Sequence, residues 1–329
     1  MAKARGTEAK LSRLRALRTA PVTPETTDEL RRALGDASNL VVAEAAAVAG
    51  ANQVRELAPD LTAAFERLLI DPEDCDKQCR GKIAIVEALN QLEFAESELF
   101  LRGIVHVQDP VWGEPGQDAA GLLRAVSALG LARLNHPDRL LYLTDLLLDT
   151  DKTARAGAAR ALGNSGSLAA VPLLRYKAQV GDRDPQVIGE CLQALLTLQP
   201  AQSLPFVAGF LRSSEDAIQE AAIFALAESR RADALEILLE HWPRVLPDLA
   251  ESMLLAISMF RLPAALDFLT GLIVGKTAHA RAAVTALAIH RHYPKIKESV
   301  VAAVAAHGKP ELEAWFRKKF AEDGREADG

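Results

Sequence analysis

Stretches rich in Ala and Leu alternate along this chain with short polar breaks. In ARAGAARALGNSGSLAAVPLLR (Ala154 to Arg175) an Ala-rich helix closes on ALG, a polar turn follows, and a second helix opens on an apolar run. The same close recurs as AVAG, EALN, SALG, RALG, QALL, FALA, LAIS and TALA. It aligns Val48, Ala88, Ala128, Ala161, Ala194, Ala225, Ala256 and Ala286, so that each repeat is longest at the start of the array and shortens toward its end. Thirteen residues past each anchor stand Leu61, Leu101, Leu141, Leu174, Val207, Leu238, Leu269 and Ser299. Only the last of these is polar, and a terminal repeat is where a repeat pattern should become atypical.

Two helices in a repeat of this length cannot bury their apolar faces alone, but stacked pairs share one continuous core. The pattern therefore predicts an all-α chain, an α-solenoid (superhelix) of about eight helical hairpins with capping helices at both ends. The residues that carry the pattern, best seen in DKTARAGAARALG (Asp151 to Gly163), resemble HEAT repeats. They are similar in particular to the short, functionally diverse bacterial type that includes bilin-lyase subunits. The resemblance spans roughly Asn39 to Ala306. Leu196 and Ala227 depart from it by replacing the turn Gly, and the first two repeats are too long. It implies a fold and leaves function open.

The ends read as caps, giving residues 1–38, an array over 39–306, and a closing segment over 307–329. In TEAKLSRLRALR, Leu11, Leu14 and Leu17 share one helical stripe. TTDELRRAL has acids in its first turn, which suits the helix dipole. ELEAWFRKKF places Leu312, Trp315, Phe316 and Phe320 on one face, and the tail after it is polar enough to be disordered. The basic N-terminal residues Lys3, Arg5, Lys10, Arg13, Arg15 and Arg18 read as a solvated helix face, with a functional basic arm as the alternative.

The surplus length of repeats 1 and 2 falls in two inter-repeat connections. One holds DPEDCDKQC (Asp71 to Cys79) and the other HVQDPVWGEPGQD (His106 to Asp118); each has a formal charge of −3. Equivalent connections lie on one edge of a solenoid, about one helix packing distance (roughly 8–10 Å) apart, so the two should be neighbours. Insertions on one face of an array often form the binding face. An aromatic residue among acids suits a cationic peptide or protein. The residues expected to touch such a partner are Asp74, Asp76, His106, Asp109, Trp112 and Glu114 in the loops. Tyr142, Arg175, Tyr176 and Arg212 are expected in a groove lined by second helices. Two plainer readings stand beside this one: Asp76 and Asp118 as helix caps, and Trp112 as cover over the seam between repeats.

The composition narrows the function further. The chain has 329 residues and a net charge of −6, a balance that argues against a nucleic-acid partner. No apolar run reaches the roughly 18 residues of a membrane span, and three Cys suggest no disulfide framework, so a cytoplasmic protein is expected. Cys75, Cys79 and His106 with a carboxylate would make a loose zinc set, but no second Cys pair or His pair completes it. HRHYP (His290 to Pro294) reads as an exposed turn, and GNSGS lacks the strand and the Lys-Ser/Thr of a phosphate loop. No catalytic residue, metal or cofactor is expected. The leading expectation is a non-catalytic protein-interaction scaffold. The alternatives are a subunit of an enzyme such as a bilin lyase, or a helical-repeat DNA glycosylase, which would need a basic groove.

Overall fold

The computed structural model describes residues 2–109 and 118–321, and every regular element among them is helical. The chain divides into two compact units, Met1–Val180 and Gly181–Gly329. Unit 1 opens with α1 (Ala2–Leu17) and α2 (Pro24–Leu34), followed by the hairpin of α3 (Asn39–Ala51) and α4 (Ala58–Leu68). A single turn, α5 (Pro72–Cys75), leads to α6 (Arg80–Gln91) with α7 (Ser97–Ile104). Then come α8 (Gly121–Arg133) with α9 (Arg139–Leu146), and α10 (Lys152–Asn164) with α11 (Ala170–Val180).

Unit 2 holds α12 (Pro185–Leu198) with α13 (Pro200–Gly209), α14 (Asp216–Glu228) with α15 (Ala232–His241), and α16 (Ala250–Met259) with α17 (Pro263–Val274). It ends with α18 (Ala280–Leu287), α19 (Pro294–His307) and the closing helix α20 (Pro310–Phe320). The described residues thus make eight HEAT-like hairpins flanked by capping helices: the fold is an α-solenoid.

Local sequence explains these boundaries. Pro stands at the first position of α2, α5, α12, α13, α17, α19 and α20, where its missing N–H costs nothing. The acids that recur between repeats mark helix starts. Asp36, Asp118, Asp149 and Asp182 each accept the backbone N–H two residues on, and the Ser213 hydroxyl does the same. Asp151 and Asp184 then cap α10 and α12. Leu11, Leu14 and Leu17 are buried, and Lys10, Arg13, Arg15 and Arg18 pair with Asp36, Glu29, Glu8 and Glu44. At the other end Leu312 and Phe320 are buried, with Trp315 and Phe316 half-buried.

First helices pack on first helices: α3 on α6 and α8 on α10 in unit 1, α12 on α14 and α16 on α18 in unit 2. All eight anchors lie on them and are buried. The third repeat, however, is shifted by two residues from the predicted register. In five other repeats a left-handed residue (Gln53, Glu93, Gly166, Arg230 or Arg261) stands five positions past the anchor. In the third it is Asn135, which makes Gly130 the equivalent position. Thirteen residues beyond Gly130 is Leu143, fully buried, whereas the predicted Leu141 is 66% exposed. The physical reason is Phe100, whose ring sits where a Cβ on Gly130 would come within 2.3 Å of it. Only glycine admits that approach, and it pins α8 against α7. HRHYP also departs from expectation: His290 is buried and its Nε2 lies 2.8 Å from the Ser258 carbonyl of the preceding repeat, while His292 is exposed.

Candidate functional site

The two long connections of unit 1 do lie against each other. Buried polar residues join them. Asp76, at the end of the first connection, sends its carboxylate to the start of α6. Oδ1 accepts from Gly81 N at 2.7 Å and from Asn39 Nδ2 at 3.1 Å; Oδ2 accepts from Lys82 N at 3.0 Å and pairs with Lys82 Nζ at 3.2 Å. An acid at a helix start meets both the free N–H groups and the positive end of the dipole. Gly81 leaves room for it, since a Cβ there would lie 3.2 Å from Asp76 Oδ1 and 2.6 Å from Leu68 Cδ1.

Lys82 and Asp76 are both fully buried. The remaining protons of the ammonium go to Leu68 O at 3.2 Å and Gln108 Oε1 at 2.8 Å. Gln108, in the second connection, closes the set. Its Oε1 also accepts from Cys79 Sγ at 3.0 Å, and its Nε2 donates to Pro72 O at 3.0 Å and Asp76 O at 2.8 Å. Every polar atom of the three side chains has a partner, which is what a dry ion pair requires.

The network continues to the next repeat. Asp118 Oδ1 accepts from Gln108 N at 3.1 Å and Ala120 N at 2.8 Å, and Oδ2 pairs with Arg124. Arg124 grips Asp149 through Nε and Nη2, both at 2.8 Å, and donates to His106 O at 2.8 Å. Burial pushes the Asp118 carboxyl up, but the two N–H groups and the guanidinium outweigh it and hold it below the usual carboxylate range. Burial, then the Lys82 charge, lowers the His106 pKa. Burial drives the Cys79 thiol up to about 12, so it is no nucleophile at neutral pH.

The predicted contact residues separate into groups. Asp76 is a correction: it is fully buried and its carboxylate is occupied within the chain, so it is a cap and a counter-ion and has no face for a partner. His106 is half-buried, its ring 3.4 Å from Gln108 Oε1 and its carbonyl held by Arg124. Asp74 and Asp109 are exposed on the outside of the same edge. Trp112 and Glu114 lie outside the described residues. Tyr142 is half-buried, edge-on to His136 with ring centroids 6.1 Å apart. Arg175 is half-buried and Tyr176 exposed, both on α11. Arg212 is exposed and belongs to unit 2. Lys82, Gln108 and Arg124 were not foreseen. A Lys six residues after an Asp, at the third position of an Ala/Ile-rich helix, is the one sequence sign of a buried pair.

A further feature of this edge is apolar. At or within two residues past the end of each second helix of unit 1 stands an exposed aliphatic residue: Ile70 at 83%, Val105 at 64%, Leu148 at 77% and Val180 at 66%. Val107, also exposed, adjoins Gln108, which itself bonds to Pro72 O between the exposed Asp71 and Glu73.

No family model matches the chain, and no curated protein does. Among solved structures it is similar to an engineered protein at 17% identity, with 96% of this chain and 95% of that chain covered and a TM-score of 0.39. It is also similar to human deoxyhypusine hydroxylase in complex with glycerol, at 18% identity, 78% and 98% coverage and a TM-score of 0.30. A third is the complex of CpcE and CpcF of phycocyanin lyase from Nostoc sp. PCC7120, at 18% identity, 88% and 95% coverage and a TM-score of 0.35. The chain's own register, one hairpin for each buried anchor, is what makes its fold HEAT-like.

Proposed function

We propose that this chain is a non-catalytic protein-interaction scaffold and that the inter-repeat edge of unit 1 is its contact surface. The observation that carries this reading is that Ile70, Val105, Leu148 and Val180, all exposed, stand at or just past the ends of the four second helices of unit 1. Single exposed apolar residues are ordinary, but one at the same end of every second helix makes a recurring apolar feature of the edge. Burying one such side chain contributes about 1.5–3 kcal/mol, so four together can anchor a partner.

The partner is cationic and amphipathic. Asp71, Glu73, Asp74 and Asp109 are exposed beside the row and form no ion pair among the described residues. They would steer basic groups to a rim around the apolar contacts. The buried network beneath holds the first connection together with Gln108 and Asp118 of the second. Tyr142, Arg175 and Tyr176, on second helices of the same unit, extend the contact.

Replacing Ile70, Val105, Leu148 and Val180 together by Ser tests this. The expected outcome is loss of the proteins that co-purify with the wild type, with an unchanged unfolding midpoint. The wild-type complexes should also weaken as salt rises. A co-purifying set that is the same with and without the four changes would defeat the proposal.

A further inference from the structure

Unit 2 carries a different row at the corresponding places. Arg212, Arg244, Lys276 and Lys309 follow one another at the spacing of the repeat, one in each. Each lies just past a second helix: Arg212 in the tight turn after α13, Arg244 in the turn after α15, Lys276 after α17 and Lys309 after α19. All four are exposed, and none forms an ion pair among the described residues. The second half of the row, Lys276 and Lys309, lies in a basic stretch. Residues 271–320 hold nine Lys and Arg against three Asp and Glu, in a protein whose net charge is −6.

The row opens onto two cavities. Arg212 and Arg244 line one of about 470 Å³ with His241, Ser213 and Gln219. Burial, then the charges of Arg244 and Arg212, lower the His241 pKa. Lys276 and Lys309 line another of about 620 Å³ with Arg281, Lys318 and Trp315. There the Arg281 guanidinium lies 3.7 Å from the Trp315 ring centre, and Lys319 Nζ lies 4.9 Å from it. The indole is fixed by its Nε1–H donating to Thr285 Oγ1 at 3.0 Å. Glu311 is the one carboxylate on the lining of the second cavity, and the first has none.

We propose that this edge of unit 2 binds an extended acidic peptide segment. Spacing and charge select that partner. Successive repeats are set apart by about one helix packing distance, roughly 8–10 Å. A polyproline II segment advances about 3.1 Å per residue with three residues per turn, so acids at every third position share one face and meet successive cations. A nucleic-acid duplex presents one charge per about 1.7 Å, far denser than one cation per repeat. Trp315 holds the Arg281 guanidinium against its ring, which fixes a further cation beside Lys276 and Lys309.

The test uses the full chain and fluorescence anisotropy of a labelled peptide with Glu at every third residue. A second peptide carries the same residues with the Glu clustered, and a third probe is a duplex DNA. The spaced peptide should bind saturably and more tightly than the clustered one. Arg244→Glu with Lys276→Glu should weaken it about ten-fold or more. Reversal of the exposed Lys297 (Lys297→Glu) should leave affinity within about two-fold. Circular dichroism confirms that both variants stay folded. Equal affinity for the two peptides, tighter binding of DNA, or indifference to the double reversal would overturn the proposal.

Discussion

Lys82 Nζ donates to Gln108 Oε1 across 2.8 Å, and that bond ties the start of α6 to the second over-long connection in a place water does not reach. Lys82→Met removes the cation but leaves the Asp76 carboxylate buried. Losing one member of such a pair costs about 3–5 kcal/mol. Urea unfolding of the variant should therefore show unit 1 melting well before the wild type, with the transition of unit 2 unmoved.

Gln108→Ala separates the two connections without leaving a bare charge. It strips an acceptor from the buried Lys82 ammonium and Cys79 thiol, while the carbonyls of Pro72 and Asp76 lose one donor each and keep the N–H groups of Asp76 and Cys79. Unsatisfied buried groups cost about 1–3 kcal/mol each, so a loss in that range is expected. The signature is local: amide exchange should quicken in residues 71–79 and 106–109 before it does in α10 or α11. Uniform exchange across unit 1 would contradict the bridging role.

The thiols should differ in reactivity. Cys75 is exposed, whereas Cys79 is buried, bonded to Gln108 and raised to about 12. At pH 8 the thiolate of Cys79 is nearly absent, and thiolate is the reacting form. Iodoacetamide should label Cys75 in the native protein and reach Cys79 and the buried Cys191 only on unfolding, as peptide mass mapping would show.

Much of the fold was legible because Ala at the end of a first helix recurs in a window that tolerates little else. The ends were legible for the same reason: Leu11, Leu14 and Leu17 can only be a buried stripe. The third repeat was misread because RLLYLTDLLL offers Leu at nearly every position, so spacing alone cannot choose between Leu141 and Leu143. The choice is made by the Phe100 ring resting on Gly130, a contact between neighbouring repeats that no local pattern announces. The site was partly legible. Stacking geometry put the two connections together, but it could not say that Asp76 turns inward, because that depends on where Lys82 and Gln108 find their partners.

The corrected register makes its own prediction. Leu143→Ala, in a fully buried position, should cost about 2–5 kcal/mol. Leu141→Ala, at 66% exposure, should change stability by less than about 0.5 kcal/mol. Thermal unfolding of the two variants decides the matter, and the reverse ranking would restore the original alignment.

Acid should unlock the same seam in two stages. His106 has a lowered pKa in the folded chain, so its neutral form is the one the fold favours. Its contribution is whole above the unfolded value of about 6.5 and is lost between there and the lower folded value. Asp118 is also lowered, with its carboxylate favoured. Its contribution is whole above the unfolded value of about 3.9 and is lost as pH falls through the depressed folded value. Stability of unit 1 should thus decline first below about pH 6.5 and again below about pH 4. His106→Gln should remove the first decline and keep the second. Asp118→Asn should be less stable than the wild type at pH 7, with the gap narrowing as the pH falls below the unfolded carboxyl value of about 3.9. Urea midpoints across pH 3 to 8 for the three proteins measure both steps, and a gap for Asp118→Asn that stays constant to the lowest pH would show that its carboxylate does not hold the seam.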